Sequence, residues 1–155
     1  LWMESYEIGG QRLMDRFFTE DPISMDSVGQ MKEFLHSRLQ TLNSALKRYN
    51  PTILIGSSGS FETLSTMYAE ASGLPYDNAK EMPLTLEAIN DLYVKLIHST
   101  REQRLAIPGM AKMRVDMIVV ASVLIDYLCN AHEFQRVRVS RYALKEGAMA
   151  RLFEE

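Results

Sequence analysis

The chain has 155 residues, 46% apolar and 24% charged, with 17 basic and 20 acidic side chains and a formal charge of −3. Such values suit one globular domain with a real core and exclude intrinsic disorder. The longest apolar run, residues 117–125 with Ser122 inside it, is nine residues, whereas a membrane-spanning helix needs about 20.

In chain order, residues 2–8 carry Trp2, Ser5, Tyr6 and Ile8 in a pattern that favours a strand, and Gly9-Gly10 ends it. Residues 11–18 suit a short helix, and Asp21-Pro22 is a turn signal. Residues 24–49 predict one long helix. Val28, Met31, Leu35, Leu39, Leu42, Leu46 and Tyr49 recur in steps of three and four, with Ser24 as N-cap and Asn50-Pro51 as the stop. Residues 52–55 predict a short strand buried on both faces. A Gly-rich turn follows, then a helix over 61–71 that Gly73-Leu74-Pro75 ends, and a second turn region over 76–82.

Leu86, Ile89, Leu92, Tyr93, Leu96 and Ile97 outline another helix, and residues 101–108 read as a polar connector. Met113, Met117, Val120, Leu124 and Leu128 predict a helix that is apolar almost all round over 117–125, which suits a core. Val137 and Val139 alternate with Arg136, Arg138 and Ser140 as a last strand with one polar face, and residues 143–153 predict a terminal helix. Strands alternating with helices argue for an α/β class with helices on a sheet. Three strands make a thin sheet, since about 4 to 6 are usual.

Charge tilts along the chain. Residues 1–100 carry 8 basic and 13 acidic groups, and residues 101–155 carry 9 and 7. The tilt is too mild for a nucleic-acid binder, yet it places Arg101, Arg104, Lys112, Arg114, Arg136, Arg138, Arg141 and Lys145 where an anionic ligand would be favoured. Cys129 is the single cysteine, so no internal disulfide framework exists and a reducing, cytoplasmic setting is expected. Nothing near Leu1 reads as a secretory leader, and Leu1 in place of an initiator Met suggests an excised piece of a longer chain.

The turn Gly56-Ser57-Ser58-Gly59-Ser60, between a strand and a helix, is the strongest local signal. Such a turn converges backbone N–H groups at a helix N-terminus and holds phosphate oxygens without a charged side chain. The structural alternative is a plain tight turn with Ser capping the helix. The turn lacks the Gly-Lys-Ser/Thr of a Walker loop. Ser58 is a near miss for a Gly-x-Ser-x-Gly elbow, with His98, His132 and Asp126 downstream as formal partners. His36, His98 and His132 have no metal-ligand spacing. Asp116, near Arg114, reads as a helix-start acid or a ligand contact. Arg136 and Arg138 read as a solvated strand face or a phosphate contact, and the ten Met residues as core filling.

Four segments resemble one family when taken together: Ser5-Tyr6-Glu7-Ile8-Gly9-Gly10-Gln11-Arg12-Leu13; Ile55-Gly56-Ser57-Ser58-Gly59-Ser60; Ile107-Pro108-Gly109-Met110 with Arg114-Val115-Asp116-Met117-Ile118; and Val139-Ser140-Arg141-Tyr142-Ala143-Leu144-Lys145-Glu146-Gly147. In that order and spacing the chain resembles the second half of the exopolyphosphatase/guanosine-pentaphosphate phosphohydrolase (Ppx/GppA) family. The resemblance implies a ribonuclease-H-like half of an actin-like ATPase fold, lacking its first strand, with residues 2–8 as the second. It implies Mg²⁺-dependent release of terminal orthophosphate from polyphosphate or guanosine pentaphosphate, in a cleft between two halves. Gly56, Ser57, Ser58 and Gly59, with Ser60 beside them, would face that cleft, and Arg114 and Asp116 would match the family's Arg-x-Asp, as a helix-start brace or a cleft contact. The resemblance places the catalytic glutamate and the other phosphate loops in segments this chain does not contain. Residues 1–155 are therefore expected to be a truncated C-terminal half-domain, inactive and metal-free alone, with a missing N-terminal half as partner and a sheet edge inviting homodimerisation. The alternative is a binding module for a phosphate-rich ligand such as guanosine tetraphosphate.

Overall fold

A computed structural model describes residues 2–77 and 80–153. The elements in chain order are α1 (Gly10–Phe17), α2 (Met25–Arg38), α3 (Gln40–Tyr49), β1 (Ile53–Ser57), α4 (Gly59–Ser72), β2 (Glu81–Met82), α5 (Leu86–Ile97), α6 (Arg101–Leu105), α7 (Met117–Asn130), β3 (Arg136–Ser140) and α8 (Leu144–Leu152). A 3₁₀ turn, Lys112–Arg114, leads into α7.

The sheet has the order β1-β3-β2. β1 runs parallel to β3, with Gly56 opposite Val139 and Ser57 opposite Ser140, and β2 is antiparallel to β3. The Arg138 guanidinium pairs with Glu81 across the β2–β3 ladder and holds the Glu81 carboxyl below its ordinary range. Arg138 therefore serves the strand face.

α7 explains its own composition. Val119, Val120 and Val123 pack with Leu13, Phe17, Met31, Leu35, Leu39, Tyr93 and Ile97 in one core. Ile118, Ala121 and Ile125 pack with Leu64, Met67, Ile89, Leu96, Val137 and Val139 in a second. A helix with a core on either side must be apolar all round. At about 1.5–3 kcal/mol for each fully buried Val or Ile, α7 is the largest single hydrophobic contribution among the helices.

The structure departs from the sequence reading at six places. Residues 2–8 form no strand: β propensity yields a strand only where a ladder partner exists. Instead Tyr6 and Ile8 pack against the first core, and the Tyr6 hydroxyl lies 2.8 Å from Thr41 Oγ1. The helix over 24–49 is two helices. Ser24 caps α2 by accepting the Ser27 N–H at 3.2 Å, but Leu39 leaves helical geometry, at φ −103° and ψ 21°, while staying buried. β1 is not buried on both faces, because Ile55 is 64% exposed. The polar connector contains α6, capped at Thr100 by a box with Gln103. The helix expected from Met113 starts at Met117, and Met113 itself is 88% exposed. The turn expected over 76–82 lies partly on residues 78 and 79, outside the described ones, and it delivers β2.

Candidate functional site

The register of β1 against β3 brings two turns to one sheet edge: residues 57–60, leading into α4, and residues 140–142, leading toward α8. Gly56 is buried on this edge, and a Cβ there would overlap the Phe61 ring. Its glycine is a packing requirement that lets Phe61 close over the strand end.

Ser58 stands at the N-cap of α4 with φ 69° and ψ 179°, a conformation close to glycine-only for an L-residue. Its side chain accepts no hydrogen bond from the helix. α2, α5 and α6 are capped by Ser24, Thr85 and Thr100, and the Glu146 carboxylate accepts the Ala143 N–H at the start of α8. α4 is left open although a serine occupies the capping position. Its first intrahelical bond runs from the Glu62 N–H to the Ser58 carbonyl at 3.1 Å, so the Gly59, Ser60 and Phe61 N–H groups have no intrahelical acceptor. The sequence alternative, a turn capped by serine, does not hold.

Arg114 comes to this point from the 3₁₀ turn before α7. A Cβ added to Gly59 would overlap the Arg114 guanidinium, so the arginine fills the space against the glycine at the start of α4. None of the ion pairs among the described residues includes Arg114. A guanidinium resting against the positive end of a helix dipole leaves two positive features together, which favours an anion beside them. Glu62, in the first turn of α4, is the acidic group of that helix start.

Asp116 does not share this position. Its Oδ1 accepts from Arg104 Nη2 at 3.2 Å and its Oδ2 from Arg101 Nε at 3.3 Å. The expected Arg-x-Asp pair is therefore split: Asp116 braces the start of α7, and Arg114 faces the open start of α4. Ser57, Ser58, Gly59, Ser60 and Arg114 are brought together, with Gly56 behind them.

The remaining candidates fall elsewhere. His132 Nε2 lies 2.9 Å from the Pro51 carbonyl, and His36 and His98 are exposed. Asp126 holds Lys32 at 2.8 Å and Asn130 at 2.9 Å, so no triad forms with Ser58. Among the described residues no three His, Cys, Asp or Glu side chains converge on a metal position. The turn offers hydroxyls and amides, and both Asp116 oxygens are taken by arginines. This donor set does not fit Mg²⁺, which prefers carboxylates with retained waters. Arg104, expected among the basic groups that favour an anionic ligand, is instead 0% exposed and paired with Asp21 and Asp116, and the sequence reading passed over the Thr100-x-x-Gln103 capping signal that marks its helix.

The fold is that of an α/β protein with helices packed on a small mixed sheet. The chain belongs to the Ppx/GppA phosphatase family, whose profile it matches over residues 2–155. It is 38% identical to an exopolyphosphatase from Cytophaga hutchinsonii of known structure, with a TM-score of 0.91 over 99% of this chain and 50% of that one. An Aquifex aeolicus Ppx/GppA family member superposes with a TM-score of 0.78 at 19% identity, over 95% of this chain and 47% of that one. A putative exopolyphosphatase of Haemophilus influenzae is 24% identical over 149 residues, which make up 96% of this chain and 44% of the relative. The chain thus spans about half the length of its relatives, and its fold is one half of their actin-like ATPase architecture.

Proposed function

We propose that this chain is the second half-domain of an exopolyphosphatase-type hydrolase. In this reading Ser57, Ser58, Gly59, Ser60 and Arg114 hold phosphate oxygens in the cleft of the whole protein. The single observation that supports it is the open start of α4, with the Arg114 guanidinium, which no carboxylate among the described residues pairs, laid on Gly59. Phosphoryl transfer asks a protein to position a phosphoryl group and to neutralise charge spread over its oxygens. Backbone N–H groups fixed at a helix start, and a planar guanidinium beside them, do both. They orient the phosphate chain and relieve its self-repulsion, so that a water can approach the terminal phosphorus in line. Mg²⁺ is a proposed requirement of the whole protein, and no donor of this segment is assigned to it.

The test is orthophosphate release. The full product of the gene, with Mg²⁺, is expected to release orthophosphate from polyphosphate, and Arg114→Ala to lower kcat/KM at least tenfold, about the 1.4 kcal/mol of one charge-assisted contact. The 155-residue chain alone is expected to release none. Turnover by the chain alone would overturn the half-site reading. Tight binding of guanosine tetraphosphate by the full product, without any release, would assign it instead as a binding module.

A further inference from the structure

Arg114 has no carboxylate among the described residues to orient it, yet it lies against one glycine. Something else must fix it. The residues that follow it, Val115 and Asp116, are held by a buried arginine from another helix. Arg104 Nε donates to the Val115 carbonyl at 2.7 Å, and Nη2 donates to Asp116 Oδ1 at 3.2 Å. Nη1 donates to Asp21 Oδ1 at 2.6 Å and to the Ser99 carbonyl at 2.5 Å. Asp21 Oδ2 accepts the Arg101 N–H at 2.6 Å, and Asp116 Oδ2 accepts from Arg101 Nε. The two carboxylates and two arginines close on each other, with Arg104 at the centre and 0% exposed.

We propose that Arg104 is the positioning residue for Arg114. It clamps the Val115–Asp116 peptide, one residue beyond Arg114, and so sets where that guanidinium lies on Gly59. This inference rests on the reading of the α4 turn as a phosphate site. The chemistry favours arginine over lysine: one planar group serves a backbone carbonyl, two carboxylates and a loop carbonyl in fixed directions, which a point-charged ammonium cannot do. Buried and fully partnered, such a group is costly to replace by halves.

The experiment uses the 155-residue chain, ¹⁵N-labelled, and inorganic tripolyphosphate as probe. Without ligand, Arg114→Ala is expected to move the Gly59 and Ser60 amide signals, and Arg104→Lys to move the same signals. If Arg104→Lys leaves them in place while Arg114→Ala moves them, the proposal is overturned, whatever the ligand does. In titration, Arg114→Ala is expected to weaken tripolyphosphate about tenfold and Arg104→Lys about fivefold, and Arg104→Lys is expected to add nothing in the Arg114→Ala background. Additive losses would make Arg104 merely structural. Unchanged tripolyphosphate affinity in Arg114→Ala would instead overturn the phosphate reading, and the ligand-free shifts would still decide the positioning role. Should Arg104→Lys fail to fold, Asp116→Asn removes the charge of one partner at constant size, and the same three outcomes apply to it.

Discussion

Gly59 and Arg114 act as one unit, because any side chain at Gly59 displaces the guanidinium. Gly59→Ala is therefore expected to reproduce the tripolyphosphate loss of Arg114→Ala, with circular dichroism unchanged. A full loss of helical signal would show the glycine to be structural only. Ser58 has the opposite character. Its positive φ costs about 1–3 kcal/mol in a non-glycine residue. Ser58→Gly is expected to raise Tm by about 2–4 °C, the shift that about 1 kcal/mol produces in a chain of this size. A lowered Tm would mean that the hydroxyl earns its place through contacts in the folded chain. Cys129 is inert by position: burial, with Asp126 adding to it, pushes its thiol up to about 11.

At the scale of elements, the connection before α7 is held on both sides. Gly109, at φ 79°, presses onto the backbone of Thr66 and Met67, where a Cβ would stand 2.8 Å away. Gly109→Ala is expected to destabilise the chain by about 1–3 kcal/mol in urea unfolding, since both conformation and space are denied. α2 and α7 are tied by Lys32 to Asp126, with the ammonium 4.7 Å from the Tyr93 ring centre. Burial pulls the Lys32 ammonium down, but the hydrogen bond to Asp126 and the charge of that carboxylate, with Tyr93 adding to them, together outweigh it and leave the group above its ordinary 10.5. A raised ammonium is stabilising while protonated. That contribution is present in full below 10.5 and is lost as pH rises through the higher folded value. Lys32→Met is expected to flatten the alkaline limb of the stability profile, and an unchanged limb would contradict the coupling.

The same scale shows what was legible in the sequence. Periodicity found α5, the stripe of α2 and the alternation of β3, because each buries one regular face. The Gly56–Ser60 turn and Arg114 were legible as chemistry. Their meeting was implied only by the family resemblance, as one of two readings of Arg114, since spacing alone does not tell which loop a 3₁₀ turn will face. Residues 2–8 misled because propensity says nothing about a partner. The stripe over 24–49 misled because Leu39 stays in the core whether or not the helix breaks there. Arg104 was read only as one more basic group favouring an anion, because a buried arginine looks like any other in a polar run until its carboxylates are brought in from far along the chain.

For the whole molecule, β1 pairs with β3 on one side, and among the described residues no strand pairs with its other side. Ile55 stands half-way along it, largely in solvent. Such an edge invites pairing with another chain. The 155-residue chain is expected to sediment as a dimer at high concentration, and Ile55→Lys to return it to a monomer; dimerisation unaffected by Ile55→Lys would move the contact elsewhere. The position of α7 has a further consequence for heating. The helix that carries Arg114 at its approach belongs to both cores, so neither core can melt and leave the other intact around it. Calorimetry should therefore record one endotherm, and the capacity to hold tripolyphosphate should vanish within it, at the temperature where the aliphatic seams on the two sides of a single helix come apart together.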